Sequence, residues 1–175
     1  MRWMWIDRVV DFQPESRLVA IKDIDAALDN QRTHIPRMND GGRMDVLPMP
    51  LVIEGMAQTA GILVGSVNGF REKVILAKVA RARLEADLRA GDTVRFDATL
   101  DRIDDKGAST SGIVQRSVDH GASWEDLGTI DLLFSHVDQN MAGIEFPEEN
   151  FVFSDNFRDL LVEAGLDHLD ESSSS

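Results

Sequence analysis

The stretch Leu47-Pro-Met-Pro-Leu-Val-Ile-Glu-Gly-Met-Ala-Gln-Thr-Ala-Gly-Ile-Leu-Val-Gly-Ser66 limits the possible folds more than any other, because it is a long helical pattern that is apolar almost all round and carries one carboxylate. Proline is tolerated in a first helical turn, where no backbone donor is needed, so Pro50 places the start there and the helix runs to Ser66. Leu51, Val52, Ile53, Met56, Ala57, Ala60, Ile62, Leu63, Val64 and Val67 leave it almost no polar face. Such a helix is buried rather than laid on a surface. Glu54, Gln58, Gly61 and Gly65 fall at spacings of four, three and four and share one stripe. An interior glycine costs about 1 kcal/mol against alanine, so the two glycines predict close packing against a sheet or a ligand along that stripe. Glu54 has two readings: a carboxylate stabilised by the free amides and dipole at a helix N-terminus, or a catalytic carboxylate held in a mostly dry site.

At 175 residues the chain suits one domain, large enough to bury a core without disulfides or metal. It has no cysteine, which excludes disulfide scaffolds and cysteine-rich zinc sites. The first residues meet a charge too early for a signal-peptide core, and no apolar run is expected to span a bilayer. A soluble cytoplasmic protein is the expectation. The net charge of −13 argues against a general nucleic-acid binder, since neutralising phosphates requires clustered Lys and Arg. Residues 140–175 hold nine acids and one arginine, a net of −8, leaving −5 for residues 1–139. Arg71, Lys73, Lys78, Arg81, Arg83, Arg89 and Arg95 cluster in one segment of the body. They read either as a local basic face or as solvated side chains on strand positions.

In chain order, residues 5–12 and 17–24 read as two strands joined by a turn at Gln13-Pro-Glu-Ser16 and paired as a hairpin. Residues 25–47 lack periodicity, carry the turn signal Asn39-Asp-Gly-Gly42 and hold His34. A loop of that length in a compact domain is usually functional or mobile. After the helix come strands at 74–84, 93–103, 108–118 and 127–137, separated by turns at Ala90-Gly91-Asp92, Asp104-Asp-Lys-Gly107 and residues 119–126 and read as antiparallel hairpins. The class is α+β: an antiparallel sheet wrapped around one long central helix. Residues 140–153 are irregular; Ser154 caps an amphipathic helix over 155–169 that docks on the body or a partner, with its last turn weakened by Gly165. Residues 172–175 are expected to be disordered.

Three pieces carry a family resemblance. Ile6-Asp7-Arg8-Val9-Val10-Asp11 is similar to the first-strand Val-Asp-Arg-Val pattern of the β-hydroxyacyl-acyl-carrier-protein dehydratases of the FabZ/FabA type, within the hotdog superfamily. Val52-Ile-Glu54-Gly-Met-Ala-Gln58 is similar to that family's helix motif Glu-Ala-Met-Ala-Gln, and Ala77 to Gly91-Asp92 to its later strand ending in Pro-Gly-Asp. The resemblance implies a hotdog domain at 1–139 and leaves the acidic extension at 140–175 unexplained. It implies a lyase that dehydrates a 3-hydroxyacyl thioester on acyl carrier protein or coenzyme A to the trans-2-enoyl thioester, as in fatty acid biosynthesis. It implies a homodimer or an assembly of dimers, with no metal and no cofactor. The sequence departs from the family pattern where Arg37 replaces the loop glycine of His-Phe-Pro-Gly, where Met49 replaces the glycine after proline at the helix entrance, and where Met38 to Asp45 contains several extra residues.

Carried over, His34 is the base and Glu54, from the opposing subunit, is the acid. Imidazole titrates near neutrality and suits α-proton removal, while a desolvated carboxylic acid delivers a proton to the departing hydroxyl. The amides of Leu51 and Val52, expected to be unbonded in the first turn, would face the thioester oxygen. Gln58 would orient Glu54 from one turn away, or be a satisfied buried amide with no catalytic purpose. The basic segment between Arg71 and Arg95 would meet an acidic carrier protein, or pair internally with the acidic tail. His120 and His136 read as surface histidines, and His168 lacks a metal-ligand spacing. Two competing functions remain: a hotdog thioesterase, in which Glu54 activates water without His34, and an inactive module that binds acyl thioester or acyl carrier.

Overall fold

A computed structural model describes residues 4–24, 46–71, 73–137 and 155–166. The expected loop with His34, the irregular stretch at 140–153, His168 and the serine end lie outside these residues. The described elements are β1 (Arg8–Gln13), β2 (Arg17–Asp23), α1 (Met49–Val67), β3 (Lys73–Leu84), β4 (Thr93–Asp104), β5 (Gly107–Ser117), β6 (Glu125–Val137) and α2 (Asp155–Glu163).

The strands form one antiparallel six-stranded sheet in the order β1-β2-β4-β5-β6-β3. Alternation dictates which face meets the helix: Val94, Phe96 and Ala98 of β4, Val114 of β5, and Ile130, Leu132 and Phe134 of β6 are buried at every second position. α1 packs against β2, β3, β4, β5 and β6, so the sheet wraps it as expected. α2 packs against β1, and its Leu160 and Leu161, with Leu166 beyond it, join the same core as Trp5 and Ile6. The tail helix therefore docks on the body.

The pairing of β3 corrects an expectation. Turn residues at 90–92 predicted a β3–β4 hairpin, but β3 pairs with β6, and β4 lies beside β2. Residues 85–92 cross the end of the sheet. Gly91 N–H donates to the Ile24 carbonyl (2.6 Å), Ile24 N–H to the Asp92 carbonyl (2.8 Å), and Arg89 N–H to the Asp92 carboxylate (2.7 Å). The same crossing fixes the entrance of α1, where Leu47 N–H donates to the Leu88 carbonyl at 2.8 Å.

α1 begins one residue earlier and ends one later than predicted. By length and composition it reaches what a bilayer crossing needs, contrary to expectation. Val52, Gly55, Met56, Thr59, Ala60, Ile62, Leu63, Val64 and Gly65 are buried in the fold, which makes it a core helix. It closes with Gly69 at φ +59°, Gly69 N–H donating to the Ser66 carbonyl (3.2 Å) and Phe70 N–H to the Gly65 carbonyl (2.9 Å). α2 ends in the same way: with Gly165 at φ +69°, Gly165 N–H donates to the Val162 carbonyl (3.0 Å) and Leu166 N–H to the Leu161 carbonyl (2.7 Å). Glycine reaches the left-handed region without the clash a β-carbon would bring, so Gly165 stops the helix rather than weakening a longer one.

Candidate active site

The buried face of α1 is set by close approach to the sheet. A β-carbon on Gly55 would stand 2.3 Å from Cζ of Phe96, whereas one on Gly61 would meet nothing nearer than Phe134 Cε1 at 3.9 Å. The tight contact thus falls at Gly55, not along the predicted stripe at Gly61. With that face against β4, the opposite stripe of Leu51, Glu54, Ala57, Gln58 and Gly61 is only half-buried. This places a carboxylate and an amide at the edge of an apolar core. A group there keeps access to a ligand while losing part of its hydration.

Gln58 Nε2 donates to Glu54 Oε1 at 3.0 Å, and Trp5 N–H donates to Gln58 Oε1 at 2.8 Å. A main-chain N–H can only donate, so the amide oxygen must face Trp5 and the amide nitrogen must face Glu54. Glu54 Oε1 is engaged by this bond. The pairing of Gln58 with Glu54 follows the predicted one-turn spacing. The contribution of Trp5 had no local signal, since it comes from 53 residues away.

Two expectations about the entrance of α1 are corrected. Leu51 N–H donates to the Pro48 carbonyl at 2.9 Å and Val52 N–H to the same oxygen at 3.4 Å, so neither amide is unbonded. The helix starts at Met49, with Pro48 as its capping residue, so Pro48 supplies an acceptor for both. Glu54 consequently lies in the second turn, and the first turn carries no acid. Stabilisation of charge by the helix terminus falls off within the first turn, so the terminus does not account for a carboxylate at this position.

His34 lies outside the described residues. His120 is exposed in the β5–β6 turn at φ +55°, as expected of a surface residue, whereas His136 is half-buried. Within the basic segment, Arg81 pairs with Asp131 (3.4 Å), Arg83 with Glu85 (3.6 Å) and Arg89 with Asp87 (3.7 Å), so these three find partners on β6 and the β3–β4 connection. Arg95 stacks over Trp124 at 5.5 Å. Among the described residues, no group of three or more His, Asp or Glu is placed to hold a metal ion.

No protein-family model matches the chain. In sequence it is similar to the 3-hydroxyacyl-[acyl-carrier-protein] dehydratase FabZ of Alkalilimnicola ehrlichii, 31% identical over 102 residues that span 56% of this chain and 62% of that protein. The chain therefore spans about three fifths of that relative's length. The FabZ of Ruminiclostridium cellulolyticum is 25% identical over 118 residues, covering 67% of this chain and 78% of the relative. In fold it is similar to the dehydratase heterocomplex ApeI:P of Xenorhabdus doucetiae, with a TM-score of 0.59 at 18% identity over 78% of this chain and 84% of that one. A thioesterase family protein of Silicibacter pomeroyi gives a TM-score of 0.57 at 14% identity over 74% and 83%. The architecture is the hotdog fold, which these dehydratases and thioesterases share.

Proposed function

Taking this chain as a hotdog-fold protein akin in sequence to the FabZ dehydratases, we propose that it removes water from a 3-hydroxyacyl thioester carried by acyl carrier protein or coenzyme A. The supporting observation is the carboxylate of Glu54, held by Gln58 on the half-buried face of an otherwise buried helix, within the segment that resembles the family's helix motif. In this reading the His34 imidazole takes the α-proton. Glu54 Oε2 delivers a proton to the β-hydroxyl, the C–O bond breaks, and its electrons leave with water as the α–β double bond forms. His34 then holds a proton that Glu54 has lost, and a return transfer between them resets the pair.

With both entrance amides donating to Pro48, the thioester oxygen is assigned to the positive end of the α1 dipole, beside Leu51 and Val52. The subunits would pair along β3, a sheet edge on which Ile75, Leu76 and Val79 are exposed. The exposed cations of the Arg71–Arg95 segment would meet the acidic carrier in the cytoplasm.

The test follows enoyl-thioester formation from a short 3-hydroxyacyl substrate on both carriers, for wild type, His34→Ala and Glu54→Gln. Dehydration by wild type that collapses in both variants supports the assignment. Hydrolysis of a saturated acyl thioester that survives His34→Ala overturns it in favour of the thioesterase reading, which the fold shared with thioesterases favours. Binding of carrier with no turnover of either substrate would mark an inactive module.

A further inference from the structure

We infer that the amino-terminal segment Met4–Ile6 is a positioning element of the site, acting through the Trp5 main-chain N–H on Gln58 and through Gln58 on Glu54. The inference rests on the dehydratase reading for its catalytic meaning, but its geometry stands apart from it. A glutamine on a helix face has several staggered rotamers and two amide orientations of nearly equal shape. Its bond to Glu54 alone would leave both free to exchange, because either end of the amide can turn toward solvent. The Trp5 N–H at 2.8 Å removes that freedom: it can donate only to the oxygen, and thereby turns the Nε2 group toward Glu54.

The donor is itself fixed. Trp5 and Ile6 are buried in the core, and Asp7 N–H donates to the Ile21 carbonyl at 2.8 Å as the chain enters β1. The Asp7 carboxylate in turn receives Lys22 Nζ at 2.6 Å and the Asp23 N–H at 2.8 Å. Asp7, two residues beyond Trp5, is thus anchored to β2 by three bonds, and Trp5 itself is held by burial in the core. The result is a relay from sheet to main-chain amide to side-chain amide to carboxylate: the Trp5 N–H donates, the Gln58 amide accepts and donates, and Glu54 accepts. It leaves Glu54 Oε2 as the oxygen offered to substrate.

The core of Trp5 also contains Leu160, Leu161 and Leu166. The carboxyl-terminal helix packs against β1, the strand this segment leads into.

The test replaces the Trp5 amide by an ester, using the α-hydroxy analogue of tryptophan, so that N–H becomes O and the side chain stays. It is compared with Gln58→Leu and with Gln58→Glu, which keeps an acceptor for Trp5 and loses the donor to Glu54. In the active protein, the ester and Gln58→Leu each lower kcat by on the order of tenfold to a hundredfold with KM unchanged. The ester has no further effect in the Gln58→Leu background. Gln58→Glu is as impaired as Gln58→Leu. A rise in KM with kcat unchanged, or an additive double variant, overturns the relay in favour of a general structural role. Hydrogen exchange at the Trp5 amide gives a readout that does not need turnover: it is slow in wild type and accelerates in Gln58→Leu. Slow exchange in both overturns the geometry, whereas acceleration in a protein that dehydrates nothing leaves the relay standing and removes the dehydratase reading.

Discussion

Gly55 of α1 lies beneath the ring of Phe96 of β4 so closely that a β-carbon there would stand 2.3 Å from Cζ and 2.5 Å from Cε2. This contact sets the rotation of α1 about its axis, and hence which residues of the helix face away from the sheet. Glu54 and Gln58 are turned outward because Gly55 and Met56 are turned in.

Gly55→Ala is expected to destabilise the protein by about 1–3 kcal/mol, the usual cost of overpacking a close-packed core, despite alanine's better helix propensity. Urea denaturation measures it. Combining the change with Phe96→Leu, which withdraws the ring, should recover part of the loss; a stabilised single variant would show that the ring yields freely.

Arg17 binds Asp97 through two parallel bonds, Nε to Oδ1 at 2.7 Å and Nη2 to Oδ2, and reaches Asp11 Oδ2 through Nη1 at 2.8 Å. The bond to Asp97 is the leading cause that raises the Arg17 pKa. A lysine keeps the charge but cannot form the fork. Arg17→Lys should therefore lose most of the coupling, about 1 kcal/mol in a double-mutant cycle with Asp97→Asn, since the pair is partly exposed. Equal coupling for lysine and arginine would show that charge alone is at work.

Asp119 in the β5–β6 turn accepts bonds from the Ser117 hydroxyl and from the Ser123 hydroxyl and N–H, which lower its pKa from 3.8 to about 2. A folded pKa below the unfolded one gives stability that is present above the unfolded value and lost as pH falls through the folded one. Wild type should thus exceed Asp119→Asn in stability at neutral pH, and the gap should close as pH falls from about 4 toward about 2. Denaturation curves across that range measure the gap; a constant difference would assign the turn's contribution to geometry instead.

Leu76→Lys with Val79→Lys places two charges on the exposed edge of β3. If subunits pair there, sedimentation velocity should show wild-type dimers become monomers, and dehydration should fall in parallel because the proposed site draws on two subunits. Charged edges oppose strand pairing between chains. Unchanged dimers would move the interface elsewhere.

Much of this architecture is legible from local pattern. The all-round apolar run from Leu51 to Val67 identifies a core helix, and alternation at Val94, Phe96 and Ala98 identifies a sheet face, because side-chain periods of 3.6 and 2 are fixed by backbone geometry. The Glu54–Gln58 bond is legible too, since residues four apart on a helix are neighbours. Gly61 does not carry the close approach, which falls at Gly55, where the resembled motif has alanine. Locating it required knowing that Phe96, 41 positions on by numbering, fills the opposing site.

Amino-acid order alone settles the elements and the faces they bury, because propensity, periodicity and turn chemistry act over a few residues. It does not settle that β3 leaves β4 to pair with β6, that Pro48 takes the entrance amides, or that Trp5 holds Gln58. Those depend on segments that meet only when the core closes, where burial of apolar surface and the demand that each buried donor find an acceptor select one arrangement among many locally acceptable ones.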